Sequence, residues 1–182
     1  MAKETEEKSF GKELLEWVRD IGIACLIALI ILSLFKPIII QQHSMEPNFY
    51  EGDYIITFKQ AYRLSEPAHG DIVVFHSELK DDKGRDKNLI KRIIAMGGDK
   101  VEIKGGYVYL NGEKLDEPYV YEPGTSGEME EFTVPEGMLF CCGDNREVSV
   151  DSRDPDVGFI SEDELLGKVI LRLYPFNKIQ TF

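Results

Sequence analysis

Basic residues are outnumbered. Lysine and arginine total 21 against 33 aspartates and glutamates, for a formal net charge of -12. With no basic stripe and no base-stacking motif along the chain, that balance argues against a nucleic-acid partner. Cysteine is scarce too: Cys25 lies in an apolar segment, and Cys141 and Cys142 are adjacent. The three offer neither a metal spacing nor a disulfide framework and read as small buried hydrophobes. Asp144, Asp151, Asp154 and Asp156 miss the spacing of a calcium loop, so no metal site is expected. Repeats and low-complexity tracts are absent. The length, 182 residues, leaves room for one anchor and one globular unit of about 140 residues.

Charge is also missing from Ile21 to Phe35, and the run through Lys36-Pro37 and Ile38 to Ile40 extends this stretch to about twenty positions, a transmembrane candidate. A secretory signal would be followed by a small-x-small cleavage site, but the flank reads SLFKPIIIQQ, so the segment reads as an uncleaved anchor. Lys3, Lys8, Lys12 and Arg19 precede it, whereas Lys36 alone sits just beyond and the next basic residue is Lys59. This bias predicts a cytoplasmic amino-terminal segment (1–20), an anchor (21–40) and an extracytoplasmic domain (41–182). Trp17 is placed for the near interface, and Phe10, Leu14 and Val18 recur at helical spacing, as in an amphipathic approach to the membrane.

After Pro47 the texture becomes that of an all-β domain: short runs of Val, Ile, Tyr and Phe punctuated by Gly, Pro and Asp. Strands are expected at Tyr54 to Phe58, Asp71 to Phe75, Leu89 to Met96, Met138 to Cys142 and Lys168 to Tyr174. The charge run at 81–87 reads as an exposed loop. Val101 to Lys104, Tyr107 to Leu110 and Glu113 to Leu115, joined by Gly105-Gly106 and Asn111-Gly112, read as a tight meander with primed turns. Residues 104–134 are taken as a small inserted subdomain. Ser161 and Glu164 have the spacing of a capping box around a short helical turn.

Two constellations carry chemistry. In Leu89 to Met96, period-two alternation puts Lys91 on one face with Leu89, Ile93 and Ala95, and Arg92 on the other with Ile90 and Ile94. A lysine in such company is desolvated, its pKa falls, and a neutral amine is a general base; the alternative is an ammonium that snorkels out at the sheet edge. Arg92 cannot serve, because guanidinium stays protonated. In Gly143 to Arg153 (GDNREVSVDSR), Ser149, Asp151 and Arg153 would share one face of an extended segment. They form either a hydrogen-bonded support for a catalytic residue or an ordinary polar turn. Ser77-Glu-Leu-Lys80 matches a bare S-x-x-K pattern without its usual companions and reads as chance. A histidine base for Ser44, from His69 or His76 with Asp71, finds no support in spacing.

Taken together with Gln41 to Pro47 (QQHSMEP), these stretches resemble the bacterial type I signal peptidases, membrane-bound serine proteases that remove signal peptides. Ser44-Met45-Glu46-Pro47 is similar to the family's nucleophile box, Gly70 to Phe75 to its following strand box, Lys91-Arg92-Ile93 through Gly98-Asp99 to its lysine box, and GDNREVSVDSR to its last box. The resemblance runs from the anchor to Phe176. It implies a mostly β fold: a single transmembrane helix followed by an antiparallel β-sheet catalytic domain with a small β insertion. It implies Ser44 as nucleophile and Lys91 as general base, Ser149 hydrogen-bonded to the lysine, Asp151 and Arg153 as a supporting ion pair, and the Ser44 backbone N–H as an oxyanion donor. No cofactor is implied. Expected partners are signal-peptide-bearing preproteins, membrane lipid and the secretion translocon, and the expected cleavage follows Ala-x-Ala sites. The alternatives are a peptidase dedicated to one secretion or pilus substrate, and an inactive anchored domain that binds extended peptides. The chain departs from the family's habit at Gln42, His43, Asn48, Cys141-Cys142 and Glu147-Val148.

Overall fold

The computed structural model describes residues 10–80, 83–121 and 124–182. Lys3 and Lys8, residues 81–82 of the expected charged loop, and Pro123 in the expected inserted subdomain lie outside the described residues, as does the side chain of Phe10.

The amino-terminal unit is one helix, α1 (Phe10–Leu34), and its span Gly11–Leu34 is long and apolar enough to cross a membrane. At about 1.5 Å per residue a helix of this length exceeds the ~30 Å hydrocarbon core. Leu26, Leu29 and Leu32 are all more than half exposed, which in water leaves a large apolar surface uncovered. The helix stops sooner than the apolar run does. Phe35–Ile39 forms a strand, β1, so the expected anchor at 21–40 is divided. Pro37 explains the break: it lacks a donor for the helical ladder and biases the preceding residue towards extended backbone.

The second unit is built on an eight-stranded sheet. Its strands are β1, β2 (Tyr54–Phe58), β3 (Ile72–Lys80) and β4 (Asp86–Met96); β5 to β8 follow in chain order and belong elsewhere. β5 (Lys100–Lys104), β6 (Tyr107–Leu110), β7 (Glu113–Lys114) and β8 (Met129–Thr133) form a second sheet in the order β7-β6-β5-β8. The chain then returns to the first through β9 (Met138–Cys142), β10 (Ile160–Ser161), β11 (Leu165–Tyr174) and β12 (Gln180–Thr181). The large sheet runs β1-β2-β11-β3-β4-β9-β10, with β12 paired to β11. Short helical turns occur at Ala61–Leu64 (α2), Glu162–Glu164 and Phe176–Lys178. The small sheet opens at Lys100, four residues before the expected insertion boundary, because β5 is the strand that both β6 and β8 pair with.

Two local expectations are met residue for residue. Asn111 and Gly112 both have positive φ, 53° and 84°, as the hairpin between β6 and β7 requires. Ser161 caps the turn at Glu162–Glu164, and the Glu164 side chain returns to the Ser161 N–H at 3.0 Å.

Both faces of the large sheet are covered. On β3, Ile72 and Val74 pack with Ile40, Met45, Phe49 and Ile55, while Val73 and Phe75 pack with Leu89, Ile93, Leu139 and Cys141. On β4 the alternation breaks. The register against β9 shifts between Ile93 and Ala95, so Ile94 and Ala95 both join the core between the sheets, with Val101, Ile103, Val108 and Phe140. Ala95 therefore does not keep company with Leu89 and Ile93, as strict period-two spacing predicts; a bulge lets two successive residues oppose one.

Candidate active site

Ser44 lies in the turn that follows β1, and Lys91 on β4; they are brought together because the loop carrying Met45 and Phe49 is buried against β2, β3 and β11. Lys91 Nζ donates to Ser44 Oγ at 2.8 Å. Lys91 is 1% exposed and Ser44 9%, so the ammonium is not a snorkelling one. Burial pulls the Lys91 pKa down from its ordinary 10.5 to about 8, against the pull of Asp151, which favours the charged form. Near neutral pH an appreciable fraction of this amine carries a free lone pair.

The 143–153 segment closes over this pair. Asn145 N–H donates to the Ser44 carbonyl at 3.1 Å, and Gly143 N–H to Asp151 Oδ2 at 2.9 Å. Arg153 grips Asp151 with both arms, Nε to Oδ1 at 2.8 Å and Nη2 to Oδ2 at 2.9 Å. Burial works to raise the Asp151 carboxyl, but the Arg153 guanidinium and the Gly143 N–H outweigh it and hold the group below the usual carboxylate range. Gly143 has no room for a side chain: a Cβ there would collide with Ser149 Oγ and the Ser44 carbonyl. Ser149 Oγ is buried and makes no hydrogen bond of ordinary geometry, so the expected bond to Lys91 is not formed, although the Asp151 carboxylate is close enough to feel its hydroxyl.

Sequence spacing did not reveal what braces the segment. Asp144, weighed beforehand only as a metal ligand, is fully buried and takes both arms of Arg92, at 2.8 and 2.7 Å. Burial pushes its carboxyl up against that pull. Asn48 ties the same carboxylate, at 2.8 Å, to the Tyr119 carbonyl, at 2.7 Å, and Arg92 lies 4.0 Å over the Tyr119 ring. Arg146 is buried among Glu117, Thr125 and the Gly143 carbonyl. The acid and the base of GDNR were the available signal, but their partners lie tens of residues away.

The other candidates are engaged elsewhere. Lys80 pairs with Asp86, and Ser77 accepts from Leu79 N–H at 3.2 Å, so both residues of this S-x-x-K pair are engaged along β3. His69 holds Asp99 at 2.7 Å, and His76 lies 3.8 Å from Asp86. His43 is bound to Glu46 at 2.7 Å, which raises its pKa. Cys141 and Cys142 are buried and free, whereas Cys25, expected to be buried like them, is exposed on α1. Among the described residues no cluster of His, Cys, Asp and Glu could hold a metal ion.

Two clefts meet at Ser44. One, of about 300 Å³, is lined by Ile38, Ile40, Met45 and Ile90; the other, of about 570 Å³, by Leu79, Leu89, Lys91, Val148 and Val150. Gln41, Gln42 and Lys87 border both.

An antiparallel β-fold preceded by a long apolar helix, with a serine and a buried amine in contact, defines a class, and the sequence comparisons identify it. The family described as "Signal peptidase, peptidase S26" matches residues 14–174, and the chain belongs to that family. Signal peptidase I of Bacillus licheniformis is 35% identical over 188 aligned residues, 97% of this chain and 98% of that protein. Signal peptidase IB of Staphylococcus aureus strain N315 is 35% identical over 187, covering 93% and 94%. A solved signal peptidase I of Enterococcus faecalis V583 is 30% identical, covers 57% of this chain and 97% of its own, and superposes with a TM-score of 0.47.

Proposed function

We propose that this chain is a membrane-anchored serine endopeptidase that removes signal peptides from exported preproteins, cutting after Ala-x-Ala-like sites. The observation that carries the reading is the 2.8 Å contact from Lys91 Nζ to Ser44 Oγ in a buried setting. An exported preprotein lays its cleavage segment in extended form against the sheet, with small side chains before the cut entering the cleft of Ile38, Ile40 and Met45. Ser44 Oγ attacks the scissile carbonyl while neutral Lys91 takes its proton. The Ser44 N–H donates to the oxyanion, a kind of contact whose loss typically costs about 10²- to 10³-fold. The ammonium then returns the proton to the leaving amine, and the C–N bond breaks. Water, deprotonated by the same amine, hydrolyses the acyl-enzyme and frees the serine. Ser149, whose buried hydroxyl makes no hydrogen bond of ordinary geometry, supplies the amine with a partner as it changes charge, and the Asp151–Arg153 pair fixes the wall behind it.

The anchor is proposed to be α1, with its amino end cytoplasmic and the residues from β1 onward outside the membrane, close to lipid and to the translocon that delivers substrate. The test is incubation of the detergent-solubilised full chain with a test preprotein bearing an Ala-x-Ala site. Wild type cleaves it at that site; Ser44→Ala and Lys91→Arg do not. Cleavage by Lys91→Arg refutes the base, and no cleavage by wild type leaves an anchored peptide-binding domain.

A further inference from the structure

The two clefts at Ser44 differ in one respect that bears on direction: Lys91 lines the larger and not the smaller. A base that takes the Ser44 proton must hand it to the departing nitrogen, so that nitrogen sits within hydrogen-bond reach of Nζ. The peptide leaving with it must therefore run out on the amine's side of Oγ, and the acyl half on the other. We propose that the 570 Å³ cleft is the subsite for the first two residues of the released chain, and that it selects apolar side chains there. This rests on the serine and lysine roles proposed above.

The walls fit that occupant. Leu79, Leu89, Val148 and Val150, the two valines on the turn between Gly143 and Asp151, supply its apolar lining. Those two valines are 57% and 45% exposed, although the turn that carries them is pinned at Asn145, Asp151 and Ser152. Apolar side chains held rigidly at the surface beside a nucleophile gain by covering a bound apolar group. At the rim His43 and Glu46 satisfy one another, 2.7 Å apart, which removes one source of charge selection.

The experiment uses the full chain in detergent and test preproteins identical except for the two residues after the cut, Leu-Leu or Asn-Asn. Wild type favours Leu-Leu in kcat/KM. In Val148→Asn/Val150→Asn the ratio of the two kcat/KM values falls about tenfold, the scale expected when one side of an apolar pocket is lost. Both valines are half exposed, so the substitutions do not disturb the core. A wild type without preference overturns the subsite, as does a ratio the double variant leaves unchanged. A variant whose selectivity changes for the residue before the cut, Ala against Val, reverses the direction and overturns it as well. Absence of any cleavage by wild type removes the serine and lysine roles themselves, a failure distinct from cleavage without selectivity.

Discussion

Replacing Lys91 with methionine should abolish cleavage and change how stability depends on pH. The folded amine has a pKa near 8 against an ordinary 10.5. Below pH 8 both the folded and the unfolded chain are protonated here, and folding carries the full cost of burying the ammonium, about 3 kcal/mol at about 1.4 kcal/mol per pKa unit. Between pH 8 and 10.5 the unfolded chain binds the extra proton, so wild-type stability rises with pH until the cost is gone. Methionine is close to lysine in volume and carries no such slope. It also leaves Ser44 Oγ without its partner, a pH-independent loss of about 1 kcal/mol that shifts the curve without tilting it. Urea unfolding in detergent at pH 7 and pH 10 should show wild type gaining about 2 to 3 kcal/mol more than Lys91→Met over that interval. Tyrosines and cysteines titrating in the same range are common to both chains and cancel. Parallel slopes would refute the burial argument, and with it the reason the amine can act as a base.

The same pKa sets the activity profile: kcat/KM for a test preprotein should fall about tenfold per pH unit below pH 8, and a flat profile down to pH 6 excludes the amine as base. Gly143→Ala should lower both melting temperature and kcat, by about 1 to 3 kcal/mol of stability, because its Cβ must displace Ser149 or the Ser44 carbonyl. Arg146→Met should destabilise by about 3 to 5 kcal/mol, since it strands Glu117 beside buried groups; Arg146→Met with Glu117→Gln should recover part of the loss in the same unfolding assay.

What could be read beforehand was local. The Asn111-Gly112 turn, the Ser161 cap and the strand at Met138–Cys142 depend on a few adjacent residues, and the chain folds there as those residues dictate. The strand after α1 was hidden because an apolar run ending in isoleucines suits a membrane helix and a strand alike, and a single proline decides between them. The company Ala95 keeps departs from strict alternation because a bulge leaves no mark in a period-two pattern. Ser44 and Lys91 lie 2.8 Å apart, yet spacing offers no view of Arg92 on Asp144 or Arg146 on Glu117. Charge complementarity names no partner until topology has placed the strands. The hydroxyl of Ser149, expected on the lysine, is buried without a bond of ordinary geometry; hydroxyl orientation is decided by tenths of an ångström that no spacing rule resolves.

The depressed lysine has a chemical corollary outside turnover. At pH 8 about half of Lys91 is uncharged, against under about 1% of an ordinary lysine, and its lone pair lies one hydrogen bond from a hydroxyl at the junction of two open clefts. An electrophile shaped for either cleft meets two nucleophiles side by side, so a reagent with two electrophilic centres, one reacting with the Ser44 hydroxyl and one with the Lys91 amine, would be held covalently at both. Proposed above to open a peptide bond, the pair is equally a handle for selective covalent inhibition.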